Sequence, residues 1–266
     1  MNTLAQTTPL AGTGQSLGRR MLNKVPEVTL YFWIIKILCT TVGETAADYM
    51  NVDLGFGLTN TTYFIGALLI VALFFQFRSS KYVPGIYWTA VVLISVVGTL
   101  ITDNLVDNMG VALQTTTIVF ALALAATFAV WYAVERTLSI HSIVTRRREA
   151  FYWLAILFTF ALGTSAGDQV AETYGLGFFV SVLIFAAAIG LVALAHFKFK
   201  LGAITAFWAA YILTRPLGAS IGDWMSQPTA DGGLGLGTTG TSLIFLAAIL
   251  GLVIFLSVTK KDQTPP

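Results

Sequence analysis

Cysteine, histidine and charge are all scarce in this sequence. Among 266 residues there is one cysteine, Cys39, and there are two histidines, His141 and His196. A single cysteine excludes an internal disulfide and a cysteine-rich zinc site. Two histidines beside basic segments argue against haem ligation, histidine-based zinc catalysis and histidine-wired redox chemistry. Only 11% of the residues are charged, against about 25% in a soluble globular chain, so we expect the bilayer to be the main solvent.

Motifs for catalysis are missing too. The sequence contains no nucleophile elbow, P-loop, HExxH motif or dinucleotide-binding glycine fingerprint. We therefore predict that the protein is not an enzyme, that it needs no cofactor and that it binds no nucleic acid. No short apolar region with a small-residue cleavage site precedes the first long apolar run, so no cleaved signal is predicted.

Long apolar runs are what the sequence has in abundance, since 56% of its residues are hydrophobic. Eight runs have roughly the length that crosses a bilayer. They lie at about 28–48, 58–77, 85–105, 112–134, 150–170, 176–196, 202–224 and 239–258. The prediction is an all-α integral membrane protein with eight transmembrane helices in a domain over residues 26–262, preceded by a disordered cytoplasmic tail over residues 1–25.

One pattern, W-x9-G-x4-D, occurs four times without a slipped residue, which marks an internal repeat. It ends at Asp48, Asp103, Asp168 and Asp223, fifteen residues after Trp33, Trp88, Trp153 and Trp208. Each copy holds two predicted spans, so all four copies point the same way. The repeats lie at about 28–80, 84–136, 149–200 and 202–260. Ten extra residues, around 141–148, separate the second copy from the third.

These four tandem two-helix units resemble a bacterial family of uncharacterised membrane-anchored proteins built from a four-fold repeat of unknown function. The four tryptophans match the repeat tryptophan of that family, and the resemblance covers nearly the whole chain beyond the tail. It implies the repeat fold and a bacterial inner-membrane location. It implies no chemistry, so the functional prediction depends on the residues themselves.

The basic residues predict the orientation. Thirteen of the fifteen lysines and arginines lie on one side, in the tail, in the loops that follow the even-numbered spans and after the last span. The loops on the opposite side hold none. By the positive-inside rule both termini are cytoplasmic, and the four aspartate ends face outward.

Acidic residues follow the opposite pattern, because nine of the thirteen gather at the predicted outer ends. A carboxylate in the last turn of a helix is unfavourable by roughly 0.3–1 kcal/mol, so four at fixed spacing call for a compensating cation. A second acid stands four residues from three of the four aspartates. The predicted metal-binding residues are Glu44, Asp48, Asp103, Asp107, Asp168, Glu172 and Asp223. The alternative is structural hydrogen bonding at the membrane interface.

Two basic residues, Lys36 and Arg215, fall inside apolar spans, where a charge costs several kcal/mol unless it is paired. We predict carboxylates of the acidic cluster as their partners. Arg215 would be a fixed counter-charge, whereas Lys36 would exchange a proton during transport. The alternative for Lys36 is that it extends toward the cytoplasmic surface. Pro216 is predicted to kink or break its helix.

Together these observations predict a membrane transporter of divalent metal cations, with a manganese-type exporter as the first expectation. Met50, Met109 and Met225 follow the acids closely, and thioether sulfur favours Mn²⁺ or Fe²⁺ over Mg²⁺ and Ca²⁺. A non-transporting scaffold or sensor and a passive cation channel are the alternatives. The expected partners are a divalent cation, protons and membrane lipid, and a homo-oligomer stays open.

Overall fold

Eight long helices make up most of residues 23–263, the part of the chain that the computed structural model describes. They are α1 (Leu30–Asp48), α2 (Gly57–Arg78), α3 (Pro84–Asp103), α4 (Leu113–Glu135), α5 (Arg146–Asp168), α6 (Phe178–Phe197), α7 (Ala203–Ser226) and α8 (Gly237–Thr259). These described residues contain no β-strand. Each predicted span overlaps one helix, and the ends agree to within about one turn, so the all-α prediction is confirmed.

Seven of the eight helices are long and apolar enough to cross a membrane. The exception is α7, in which Arg215, Pro216 and Asp223 lower the hydropathy of an otherwise apolar helix. The structure therefore supports a multi-pass membrane protein with seven clear spans.

The helices form two concentric layers. The first helices of the four repeats, α1, α3, α5 and α7, pack one on the next, and α7 closes the ring against α1. Each second helix packs outside the first helix of the following repeat: α2 on α3, α4 on α5, α6 on α7, and α8 on α1. Along the apolar stretches, 61–67% of the residues of α1, α3 and α5 are buried, against only 11–22% in the outer helices. The outer layer thus presents apolar side chains to lipid.

Close contacts between neighbouring inner helices require the repeat glycines. Each of these glycines faces the residue that lies eight positions before the aspartate of the following repeat. The pairs are Gly43 with Ser95, Gly98 with Phe160, Gly163 with Arg215, and Gly218 with Thr40. A Cβ atom at any of the four glycines would overlap the facing side chain. Small residues of this kind let membrane helices approach closely, and here they set the distance around the whole ring.

Replacing Gly98 by alanine should therefore destabilise the ring. A Cβ atom there would lie 2.6 Å from Phe160 Cβ and 3.1 Å from the backbone nitrogen of Ala161. We expect Gly98→Ala to lower the free energy of unfolding by about 1–3 kcal/mol, as overpacking does in other cores. The measurement is the melting temperature in detergent. Gly190→Ala on α6 is the matched control, because it meets no atom within 4 Å. Equal melting temperatures for the two variants would contradict this packing.

Three of the inner helices change geometry at their repeat aspartate. Short π-helical segments follow directly, at Tyr49–Asp53, Asn104–Asn108 and Gln169–Thr173. A glycine with φ of +66° to +68° then reverses the chain in each copy, at Gly55, Gly110 and Gly175, where a side chain would be strained. The fourth copy differs, because α7 stays α-helical as far as Ser226. Segments of π-helix are common at functional sites.

Two predictions need correction. Residues 1–22 of the predicted tail lie outside the described residues, but residues 23–25 are buried rather than disordered. Lys24 Nζ lies 2.7 Å from the buried Glu149 Oε2, and this ion pair holds the segment against the helices. In α7, the break predicted as one outcome at Pro216 does not occur, because the helix runs unbroken from Ala203 to Ser226, while the other predicted outcome, a kink, stays a prediction.

Candidate cation site

A cavity of about 180 Å³ lies where the C-terminal ends of the four inner helices meet. We call this the acidic end of the bundle, and we call the opposite end, where the lysine- and arginine-containing segments gather, the basic end. All seven predicted metal-binding residues line the cavity: Glu44, Asp48, Asp103, Asp107, Asp168, Glu172 and Asp223. The structure thus brings together acids from all four repeats.

The acids occupy three depths. Glu44 and Asp223 are buried at the base of the cavity, and Asp107 and Glu172 are exposed at its rim. Asp48, Asp103 and Asp168 are half-buried between them. The rim residues belong to the π-helical segments, so the change in helix geometry directs a second acid toward the same cavity in two of the repeats. The result is a funnel of carboxylates that narrows toward the middle of the bundle.

Three of these carboxylates come close enough to share one ion. Oxygen atoms of Glu44, Asp168 and Asp223 all lie within 4.8 Å of one another. Two negative charges at that distance repel by about 3 kcal/mol at an effective dielectric constant of about 20. Opposite oxygen ligands of one Ca²⁺ are separated by about 4.6–5.2 Å, and those of one Mg²⁺ by about 4.0–4.2 Å. Because three ligands of one ion cannot all be opposite one another, side-chain rotations would have to bring these oxygens closer together to bind a single divalent cation.

Arg215 is completely buried and is paired with the lining residue Glu44, and we call it the floor of the cavity. Its Nη2 donates to Glu44 Oε2 at 2.9 Å, to Thr164 Oγ1 at 2.6 Å and to the hydroxyl of Thr99. Its Nη1 donates to the carbonyl oxygen of Thr40 at 3.2 Å. One guanidinium on α7 is thus bonded to the other three inner helices, and the ion pair expected for Arg215 is present.

Lys36 departs from its prediction. Its ammonium group donates to Thr214 Oγ1 at 3.0 Å and lies 4.3 Å and 4.6 Å from the ring centres of Tyr211 and Phe160. Within residues 23–263 it makes no ion pair, so the predicted carboxylate partner is wrong. The side chain is only 1% exposed, which also rules out extension to the surface. Two helical turns, about 12 Å, separate Lys36 from Glu44, which is farther than the side chain reaches.

Below Lys36 an aromatic layer closes the axis at the basic end. It consists of Phe32, Tyr87, Tyr152 and Phe207, each sixteen residues before its repeat aspartate. The hydroxyl groups of Tyr87 and Tyr152 lie 2.5 Å apart, and the rings of Phe32 and Phe207 are 5.9 Å apart between centres. This aromatic layer lies between the acidic cavity and the basic end of the bundle.

Sequence analysis missed the hydroxyl groups of the site and overvalued the methionines. Thr99 and Thr164 occupy the same repeat position as Glu44, directly after the repeat glycine, so aligning the four copies would have indicated them. The sulfur atoms were expected near the acids, but Met50, Met109 and Met225 are not among the residues that line the cavity. Met109 is instead 70% exposed, and Met50 packs against the apolar core.

Comparison with known proteins agrees with the repeat structure. The family model of DUF347, a repeat of unknown function, matches four times, at residues 31–82, 86–137, 151–201 and 206–262. Each match covers one inner helix and the outer helix that follows it. No curated protein and no solved structure matches the chain. The chain therefore belongs to the DUF347 repeat family.

Proposed function

We propose that the protein is a transporter of divalent metal cations. In this proposal all eight helices cross the bacterial inner membrane, both termini are cytoplasmic and the acidic end faces outward. The observation that carries the proposal is the single cavity lined by seven carboxylates from four repeats. The uneven distribution of lysine and arginine supports the orientation.

Helix dipoles add to the attraction for a cation. Four parallel helices end at the cavity, and each C-terminus carries roughly half a negative charge. Against this field the described residues supply one paired cation nearby, Arg215, which is bonded to Glu44. Strong repulsion among the remaining carboxylates is relieved by bound cations or by protons.

The lining atoms favour a hard divalent ion. Besides the carboxylates, the polar groups are the amides of Asn51 and Gln227 and the hydroxyl of Thr102. Oxygen ligands of this kind suit Mg²⁺, Ca²⁺ and Mn²⁺. Manganese export is the version of the proposal to test first. It is supported by the oxygen atoms that line the cavity and not by the sulfur atoms of the methionines.

Transport also needs a route past the floor. In this proposal the ion displaces Arg215 from Glu44, and the freed guanidinium moves as the ring opens toward the basic end. Lys36 is the candidate for proton exchange, because it lies on the same axis and its partners among the described residues are a hydroxyl and two aromatic faces. Transport of a divalent cation in exchange for protons would follow.

One observation favours a structural role instead. Arg215 bonds to three neighbouring helices, which is what a scaffold held together by a buried polar network would show. A passive channel has less support, because two cationic side chains and an aromatic layer lie on the axis below the cavity.

Ion flux into proteoliposomes distinguishes these functions. We expect purified protein to move Mn²⁺ across the bilayer, at a rate that responds to an imposed pH gradient, with Ca²⁺ and Mg²⁺ tested in parallel. Liposomes without protein are the control. Flux that ignores the pH gradient would indicate a channel. If no divalent ion moves faster than in the control, the transport proposal is wrong.

A further inference from the structure

The segment between the second and third repeats, residues 137–145, forms part of a second cavity at the basic end through residues 138–141. Trp208 Nε1 donates to the carbonyl oxygen of Leu138 at 2.9 Å, which holds this segment against α7. Ile140 and Ile143, which belong to this segment, are buried. The segment then lies over a pocket of about 590 Å³ formed with α1, α6 and α7.

This pocket breaks the symmetry of the ring. The repeat tryptophans Trp88, Trp153 and Trp208 are buried, with 2–5% of their surface exposed. Trp33 is only half-buried, because it lines the pocket. A large aromatic surface that is covered by protein in three copies is thus available to another molecule in the fourth.

The pocket is apolar along most of its length and has polar lining atoms at the basic end. Its body is apolar, and no acidic residue lines it. His141 and His196, together with Ser139, supply the polar lining atoms at the basic end. Along α7 the pocket extends from Ala203 to Thr214, about 16 Å at 1.5 Å per residue. That is close to half of a hydrocarbon core of about 30 Å, the depth that the acyl chains of one leaflet occupy.

The charged residues near the pocket indicate which class of lipid headgroup it would bind. The described residues that line the pocket include no lysine or arginine, but two exposed basic residues flank it in the sequence: Lys198 directly follows the lining residue Phe197, and Arg136 lies two residues before Leu138. Two acids are also near: Glu27 lies 3.4 Å from His141, and Glu135, which directly precedes Arg136, pairs with Arg147 and Arg148. Lysine and arginine residues next to the membrane surface attract anionic headgroups, so the flanking residues favour an anionic lipid at this end of the pocket.

We propose that this pocket is a binding site for an anionic phospholipid of the leaflet at the basic end. One acyl chain lies against Trp33, Ala193 and Ala210, and the phosphate group lies between His141 and His196. The end of the chain approaches Thr214, whose hydroxyl accepts the bond from Lys36. The end of the bound acyl chain and the ammonium group of Lys36 are therefore separated by one side chain, that of Thr214. The site does not depend on the proposed transport.

Native mass spectrometry of the purified protein tests this site. The probes are dioleoyl phosphatidylglycerol, dioleoyl phosphatidylcholine with the same chains, and glycerol 3-phosphate. We expect phosphatidylglycerol to stay bound after detergent removal, and Ala193→Trp to weaken its binding by about tenfold, since excluding two methylene groups is enough for that. Ala187→Trp, on an exposed face of the same helix, is the matched control and should bind as the wild type does.

Several outcomes would overturn the proposal. Equal retention of phosphatidylglycerol by Ala193→Trp and Ala187→Trp would place the lipid elsewhere. If phosphatidylcholine bound as tightly as phosphatidylglycerol, the site would not select an anionic headgroup and the proposal would be wrong. Binding of glycerol 3-phosphate as tight as that of the lipid would indicate a free phosphate site. Ala210→Phe fills the pocket from α7 and provides the same comparison if Ala193→Trp does not fold.

Discussion

Replacing Asp168 and Asp223 together by asparagine should abolish divalent cation binding and raise the melting temperature of the metal-free protein. Both carboxylates belong to the triad whose oxygen atoms lie within 4.8 Å. Loss of even an outer-shell partner lowers metal affinity by about 10–100-fold, so loss of two direct ligands should exceed about 100-fold. The same change removes like-charge repulsion of about 3 kcal/mol per close pair at an effective dielectric constant of about 20.

Two measurements on one preparation check this prediction. Metal content after dialysis against Mn²⁺ reports binding, and a thermal scan in chelator reports stability. Asp231→Asn is the matched control, because Asp231 is exposed and outside the cavity, and it should behave as the wild type does. A double variant that keeps its metal, or one that melts lower without metal, would favour a purely structural role for the acids.

Replacing Arg215 by methionine should cost about 3–5 kcal/mol of stability, because it leaves Glu44 as a buried charge without its partner. Four bonds to the other inner helices disappear at the same time. We expect a large fall in the melting temperature in detergent. Arg215→Lys should recover only part of the loss, since an ammonium group cannot reproduce the planar fork that reaches several oxygens.

A second substitution separates the charge effect from the packing effect. In Arg215→Met with Glu44→Gln the charge of Glu44 is removed together with its partner, so we expect the double variant to be more stable than Arg215→Met alone. Lys198→Met at the exposed basic end is the control and should change little. If Glu44→Gln gave no recovery, the ion pair would not be the main contribution of Arg215.

The local sequence pattern was sufficient to predict the helices and to predict which acidic residues line the cavity. Eight apolar runs of the right length predicted eight helices, because a bilayer forces each run to satisfy its backbone internally. The fixed spacing of the aspartates placed them at equivalent depths, and equivalent positions in parallel repeats meet at one end. Glu44, Asp107 and Glu172 lie within one turn of those aspartates, so their place in the cavity followed as well.

Contacts between repeats were beyond reach of the sequence alone. The partner of Lys36 depends on how α1 is rotated against α5 and α7, and only the packed ring fixes that rotation. The same is true of Thr99 and Thr164, whose bonds to Arg215 span three helices. Pro216 failed as a helix breaker because its helix is enclosed by neighbours, and Gly163 and Gly167 leave room for the ring.

The closed ring of glycine contacts bears on the ancestry of the chain. Each two-helix unit carries both complementary surfaces, so the geometry of the ring is the one that four identical copies would have in a symmetric homotetramer. In such an assembly every position on the axis is occupied four times by the same residue, and four arginines there would repel one another. Fusion into one polypeptide allowed the level that now carries Thr40, Ser95, Phe160 and Arg215 to diverge. A single arginine at one level of a four-fold arrangement requires repeats with different sequences, which identical subunits cannot supply.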